Sequence, residues 1–100
     1  MAPKSASSEP IAAADRQRID NWLWHARMVR TRSAAAALVE AGHVRVNGSR
    51  VLAPGHVLRA NDVVTLALDR SVKVTRVIGF VERRGGALAA RALYERLSRG

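Results

Sequence analysis

The sequence predicts an α+β domain: an αα-hairpin packed on a small antiparallel β-sheet, with a C-terminal helix. Three observations carry this expectation. Apolar residues recur at helical spacing over residues 18–41, alternate with polar ones over much of 43–80, and return to helical spacing after Gly85-Gly86. One hundred residues suffice for one domain, and a hydrophobic content of 48% is enough to build its core.

Residues 1–17 combine Pro, Ser and Ala without a sustained apolar period, and their few charges cancel. They are expected to form a flexible tail. The domain proper is expected over 18–82, with 83–100 as a helical extension. Ile19, Trp22, Leu23, Ala26 and Val29 share one stripe at 100° per residue, a core face for a first helix. Trp24 and Met28 fall on another face. They could stack on an unpaired base, but packing within the protein is the stronger reading, and it applies fully to Trp22. Thr31-Arg32-Ser33 interrupts, with Thr31 the leading N-cap for a second helix and Ser33 its rival. That helix is Ala-rich from Ala34 to Ala41, and Gly42 fits the left-handed residue that ends it.

The spacing then changes to two. Val44 and Val46 alternate with Arg45 and Asn47, and Asn47-Gly48 signals a tight hairpin returning through Arg50-Val51-Leu52. His56–Leu58 is a short extended piece, and Asn61-Asp62 a turn. Val63–Leu68 and Val72–Phe80 form a second hairpin about Asp69-Arg70-Ser71. Arg83-Arg84-Gly85-Gly86 reads as a breaker, and Ala87–Arg99 as a helix with Leu88, Ala92, Leu93 and Leu97 near one face.

Charge narrows the function. Seventeen basic residues against eight acidic ones give a formal charge of +9, and fifteen of the basic residues are Arg. This favours a polyanionic partner. With no cysteine in the sequence, disulfides, thiolate metal sites and thiol nucleophiles are excluded together, which fits a reducing, cytoplasmic setting. No apolar run approaches the length of a membrane span, so a membrane partner is not expected. His25, His43 and His56 lie in different elements without metal-ligand spacing and read as surface or strand-edge residues. The carboxylates show no local pairing, and no nucleophile elbow or phosphate loop is present. Neither enzymatic activity, a small-molecule substrate nor a cofactor is expected.

The basic residues are more informative. Arg18, Arg27, Arg30 and Arg32 belong to the helical pair and its turn, where a helix N-terminus, the Thr31 and Ser33 hydroxyls and arginine charge can together hold a phosphate. Arg45 and Arg50 flank the hairpin, and Arg45 must face outward if its valine neighbours face the core. Asn47 shares that face unless the turn twists it away. A DNA-reading helix-turn-helix is disfavoured, because Ala34-Ala35-Ala36-Ala37 cannot reach base edges.

The string Arg18-Ile19-Asp20, Arg27, Thr31-Arg32-Ser33 and Gly42-His43-Val44-Arg45-Val46-Asn47-Gly48 resembles the S4 RNA-binding domain. Trp22-Leu23-Trp24, Ala26-Arg27, Glu82-Arg83-Arg84 and Leu93-Tyr94-Glu95 are similar to a subfamily of small ribosome-associated heat-shock proteins. The resemblance implies an RNA surface formed by the start of the second helix and the hairpin. Carried over, it points to Arg18, Arg30, Thr31, Arg32, Ser33, Arg45, Asn47 and Arg50, to which the reading of the turn adds Arg27. It implies structured ribosomal RNA as partner, on the large subunit, in a rescue, recycling or heat-shock role. Asn61 departs from the Gly usual before Asp62. The sequence also ends at Gly100 without the long basic extension associated with the subfamily, for which weaker ribosome binding or a different target is the expectation. A DNA-binding regulator, with weak DNA affinity, and a protein-interaction or assembly module are the alternatives.

Overall fold

The structure, a computed structural model, describes residues 15–97. The expected tail therefore lies almost wholly outside the described residues. Where it meets them, Arg16–Arg18 form a strand, β1, followed directly by helix α1 (Ile19–His25). Helix α2 (Arg32–Glu40) comes next, then strands β2 (Val44–Val46), β3 (Ser49–Arg50), β4 (Val57–Arg59), β5 (Val63–Ala67) and β6 (Val72–Val77). Helix α3 (Ala87–Arg91) and strand β7 (Tyr94–Arg96) complete the order. Among the described residues, β1 pairs with β4, and a five-stranded antiparallel sheet runs β3-β2-β5-β6-β7. The α+β architecture is the expected one.

The helices end by the same device with different residues. Gly42 takes φ +84°, its N–H donates to Val39 O and that of His43 to Leu38 O, a Schellman closure of α2. Arg27 takes φ +59°, with its N–H on Trp24 O and that of Met28 on Leu23 O. Helix α1 thus stops at His25, so Val29 leaves the helical stripe and is only half-buried. At the other end of α2, Thr31 is extended and its Oγ1 accepts from Ala34 N at 3.0 Å, which makes Thr31 and not Ser33 the cap.

Val46 pairs with Ser49 across Asn47 (φ +52°) and Gly48 (φ +86°), a two-residue turn that matches the twist of the strands. Asn61, where the resemblance leads to an expectation of Gly, takes φ +76°. Asparagine tolerates that region, so the substitution keeps the turn.

One face of the sheet packs on the helices. Ile19, Trp22, Leu23 and Ala26 of the first helical segment meet Ala35 and Val39, then Val44, Val46, Val64, Leu66 and Val77. The C-terminal segment departs from the expected long helix. Only Ala87–Arg91 are helical, and Leu88 is largely exposed. Leu93 enters the core, its carbonyl accepts from Ile78 N and Gly79 N, and Tyr94–Arg96 add a strand beside β6. The open edge of β6 carries backbone groups that need partners, and pairing them outweighs continued helix. Of the residues expected to extend the helix, Leu97 follows the strand and Arg99 lies outside the described residues.

The segment between the sheet and α3 is stitched to α1. Trp22 Nε1 donates to Gly79 O at 3.1 Å, Gln17 Nε2 to Val81 O at 2.9 Å, Arg84 Nε to Trp24 O at 3.0 Å and Arg27 Nε to Gly85 O at 3.0 Å. The last two are reciprocal, each segment sending a guanidinium to a carbonyl of the other.

Candidate nucleic-acid interface

Arg18, Asp20, Asn21, Arg32, Ser33 and Ala36 line an open cleft of about 360 Å³ between the starts of the two helices. Arg18 precedes α1 and turns its fork onto Asp20, donating from Nε at 3.0 Å and Nη2 at 2.8 Å. Asp20 is buried, so its carboxylate relies on this pairing. The hydrogen bond to Asp20, then its charge, raises the Arg18 pKa above the ordinary arginine value. Arg18 thereby cancels the one acid of the cleft. Arg32 Nη1 donates to Asn21 Oδ1 at 3.1 Å, and Ser33 is exposed beside it in the first turn of α2. The unpaired N–H groups and positive dipole end of α2 therefore share a cleft with Arg18, Arg32 and the Ser33 hydroxyl.

A second basic cluster sits at the far end of α2. Arg45 and Arg50 are direct cross-strand partners, both exposed, on the face opposite the buried Val44 and Val46. The Arg50 side chain lies over Gly42, where an added methyl would sit 3.4 Å from Arg50 Cδ. Ten residues of helical rise separate Arg32 from Gly42, about 15 Å. The expected site residues thus form two clusters, one at each end of α2.

The same outer face shows a contrast. Arg76 on β6 and Glu95 on β7 are also direct partners, and they form an ion pair. Opposite charges in register stabilise a sheet and like charges in register oppose it. Arg45 faces Arg50 on one side and Thr65 on the other, with no ion pair to either arginine among the described residues.

Three expected residues have roles within the fold. Asn47 is exposed, but its amide is engaged within the fold. Its Nδ2 donates to Asp62 Oδ1 at 3.1 Å and its Oδ1 accepts from Val63 N at 2.9 Å, which ties the hairpin to the Asn61-Asp62 turn. Arg27 spends its Nε on Gly85, and Thr31 caps α2. Arg30 is exposed in the connection between the helices.

His25 is not the surface residue expected from its spacing. It is 4% exposed, with Nδ1 3.4 Å from Gln17 Oε1. Burial first, then the charges of Arg32 and Arg84, push its pKa below the ordinary histidine value, against a smaller opposing effect of a hydrogen bond with the Val81 backbone. Trp24 is half-buried, and the guanidinium carbons of Arg32 and Arg84 each lie 5.6 Å from its ring centroid. In the sequence Arg84 reads as part of a breaker and of the Glu82-Arg83-Arg84 string, and no local spacing links it to a tryptophan sixty residues earlier. No group of three or more His, Cys, Asp or Glu among the described residues is placed to hold a metal ion. No helix among them is long and apolar enough to cross a membrane.

The S4 domain family model matches residues 17–64. A heat shock protein 15 homolog of Aeromonas salmonicida is 35% identical over 86 residues, 86% of this chain and 64% of that protein. The small ribosomal subunit protein uS4 of an Anaeromyxobacter species is 38% identical over 87 residues, 84% of this chain and 41% of its own length. The chain thus spans less than two thirds of either relative. A structure of Vibrio cholerae Heat Shock Protein 15, described as trimeric, superposes with a TM-score of 0.78 at 33% identity and 85% coverage of each chain. With the Arg18–Asp20 pair, the Thr31 cap, the Asn47-Gly48 turn and these likenesses together, the chain belongs to the S4 domain family and is similar to the heat shock protein 15 proteins.

Proposed function

We propose that this chain is a non-enzymatic RNA-binding module that recognises structured ribosomal RNA, on the large subunit, in a rescue, recycling or heat-shock role. The observation that carries the reading is the cleft at the start of α2, where Arg18, Arg32 and Ser33 converge on a helix N-terminus and the only acid is already paired. Arg45 and Arg50 extend the surface, because two cations in register gain from an anion placed between them. Arg30 adds charge at the turn. Arg27, Thr31 and Asn47 hold the geometry. A-form RNA shows its minor groove and phosphates to a protein, so shape and backbone contacts dominate over base reading. The outward residues of α2 support this, since Ala34 and Ala37 are exposed and too short to read a major groove.

Sedimentation of tagged protein with separated ribosomal subunits, followed by crosslinking of the bound RNA, tests the reading. Co-migration with large subunits and crosslinks to their RNA are expected. Affinity that does not fall with salt, or preference for duplex DNA over RNA of equal charge, would sink it.

An assembly role is supported by a separate observation. Val72 and Ile78 are about half exposed, at 49% each, and the similar Vibrio protein is described as a trimer. Light scattering at high salt distinguishes self-association through apolar burial, which persists, from a monomer.

A further inference from the structure

The cation pair at Trp24 joins one residue of the first cluster to one outside both clusters, and the latter lies outside residues 17–64. Arg32 belongs to the cleft at the start of α2, whereas Arg84 arrives from the segment after the sheet. We propose that Arg32 and Arg84, both in cation–π contact with the indole of Trp24, form a clamp for an RNA phosphate that carries the binding surface beyond the S4 match onto the segment around Arg84. This rests on the RNA-binding reading and adds a contact to it.

Three features support the clamp. Each guanidinium carbon is 5.6 Å from the Trp24 centroid, so two like charges share one indole. Neither makes an ion pair with a carboxylate among the described residues, although Asp20 lines the same cleft as Arg32 and is committed to Arg18. An indole face attracts a cation, but it does not cancel the repulsion between two of them. A phosphate does, and it matches the planar donor fork of arginine.

The second feature is preorganisation. Arg84 Nε is fixed on Trp24 O, which directs the rest of its fork along the indole. The bonds from Arg27 to Gly85 O and from Gln17 to Val81 O hold the surrounding segment in place. Arg84 therefore loses little freedom when it meets an anion. The third feature is continuity. Arg32 is shared, with Nη1 on Asn21 in the cleft and its guanidinium over Trp24, so a strand held at the cleft passes the clamp. The lowered pKa of His25 agrees with cationic field from both arginines at this point.

Trp24 is then a positioning residue and the arginines make the contact. The test measures binding of the full chain to a fluorescein-labelled RNA stem-loop and to purified large subunits over a salt series. Arg84→Gln should weaken binding several-fold at low salt and reduce the slope of log affinity against log salt by about one. Arg84→Lys should keep the slope. Trp24→Leu should weaken binding with the slope unchanged, because both charges remain. Arg91→Gln, an exposed control on α3, should change neither.

Protection from phenylglyoxal supplies a reading on the unaltered protein, with RNA expected to shield Arg84 and not Arg91. If Arg32→Gln lowers the slope while Arg84→Gln does not, or if RNA leaves Arg84 as reactive as before, the clamp is overturned and the RNA-binding reading stands. If the unaltered chain binds neither RNA nor large subunits, both fall together.

Discussion

Arg45 and Arg50 stand opposite each other across the β2–β3 hairpin, two exposed cations in register on a sheet that elsewhere pairs Arg76 with Glu95. The arrangement opposes folding and favours an anion. Arg50→Thr should therefore raise stability by about 0.2–1 kcal/mol while weakening RNA binding. Thermal melts and salt-dependent anisotropy on the same samples read the two effects. A variant that loses both stability and affinity would count against a binding role for the pair.

Asn47 should behave in the opposite way. Its amide bridges Asp62 and Val63 N at φ +52°, so Asn47→Ala is expected to cost about 1–3 kcal/mol through lost bonds and a strained backbone. Asn47→Gly keeps the turn and loses only the bridge. Compared at equal folded fraction by denaturant titration and binding, both should retain near-native affinity for RNA.

Arg27 separates backbone strain from side-chain contact. Both Arg27→Ala and Arg27→Gly remove the bond to Gly85 O, but only glycine relaxes the residue at φ +59°. Arg27→Gly should be more stable than Arg27→Ala by about 1–2 kcal/mol, measured by urea unfolding. Equal stabilities would show that the left-handed position carries no strain.

His25 gives the fold a pH dependence. Its folded-state pKa lies below the ordinary value of 6.5, so the unfolded chain takes up a proton first. Stability from this residue is complete above that value and falls as pH drops through it towards the lower folded pKa. Arg32 and Arg84 add to the penalty on a charged ring. The melting temperature should decline on acidification from pH near 7 to near 5, and His25→Gln should flatten that part of the profile. An unchanged slope in the variant would remove His25 as its source.

Much of the fold was legible because it is locally encoded. The stripe of Ile19, Trp22, Leu23 and Ala26, the Thr31 cap, Gly42 and the Asn47-Gly48 turn each act within a few residues, and each stands as expected. What stayed hidden depends on distant partners. Arg16–Arg18 become a strand only because Val57–Arg59 offer an edge, and Tyr94–Arg96 because β6 does. Arg27 gave no sign of a left-handed backbone, since arginine is a poor choice there and the contact with Gly85 lies fifty-eight residues away. For the candidate site, arginine beside a helix start and beside a hairpin was readable. The split into two clusters, the spent amide of Asn47 and the approach of Arg84 to Trp24 needed the folded chain.

The pairing of β1 with β4 and the bond from Gln17 to Val81 bind the early part of the chain to much later parts. During translation, α1 and α2 can meet as soon as they emerge, but the strand before them must wait for residues 57–59 and its glutamine for residue 81. The helical pair that holds the basic cleft would then form before the sheet and be locked only after residue 81 has been made. The rigidity of the surface made first thus depends on partners supplied later in synthesis.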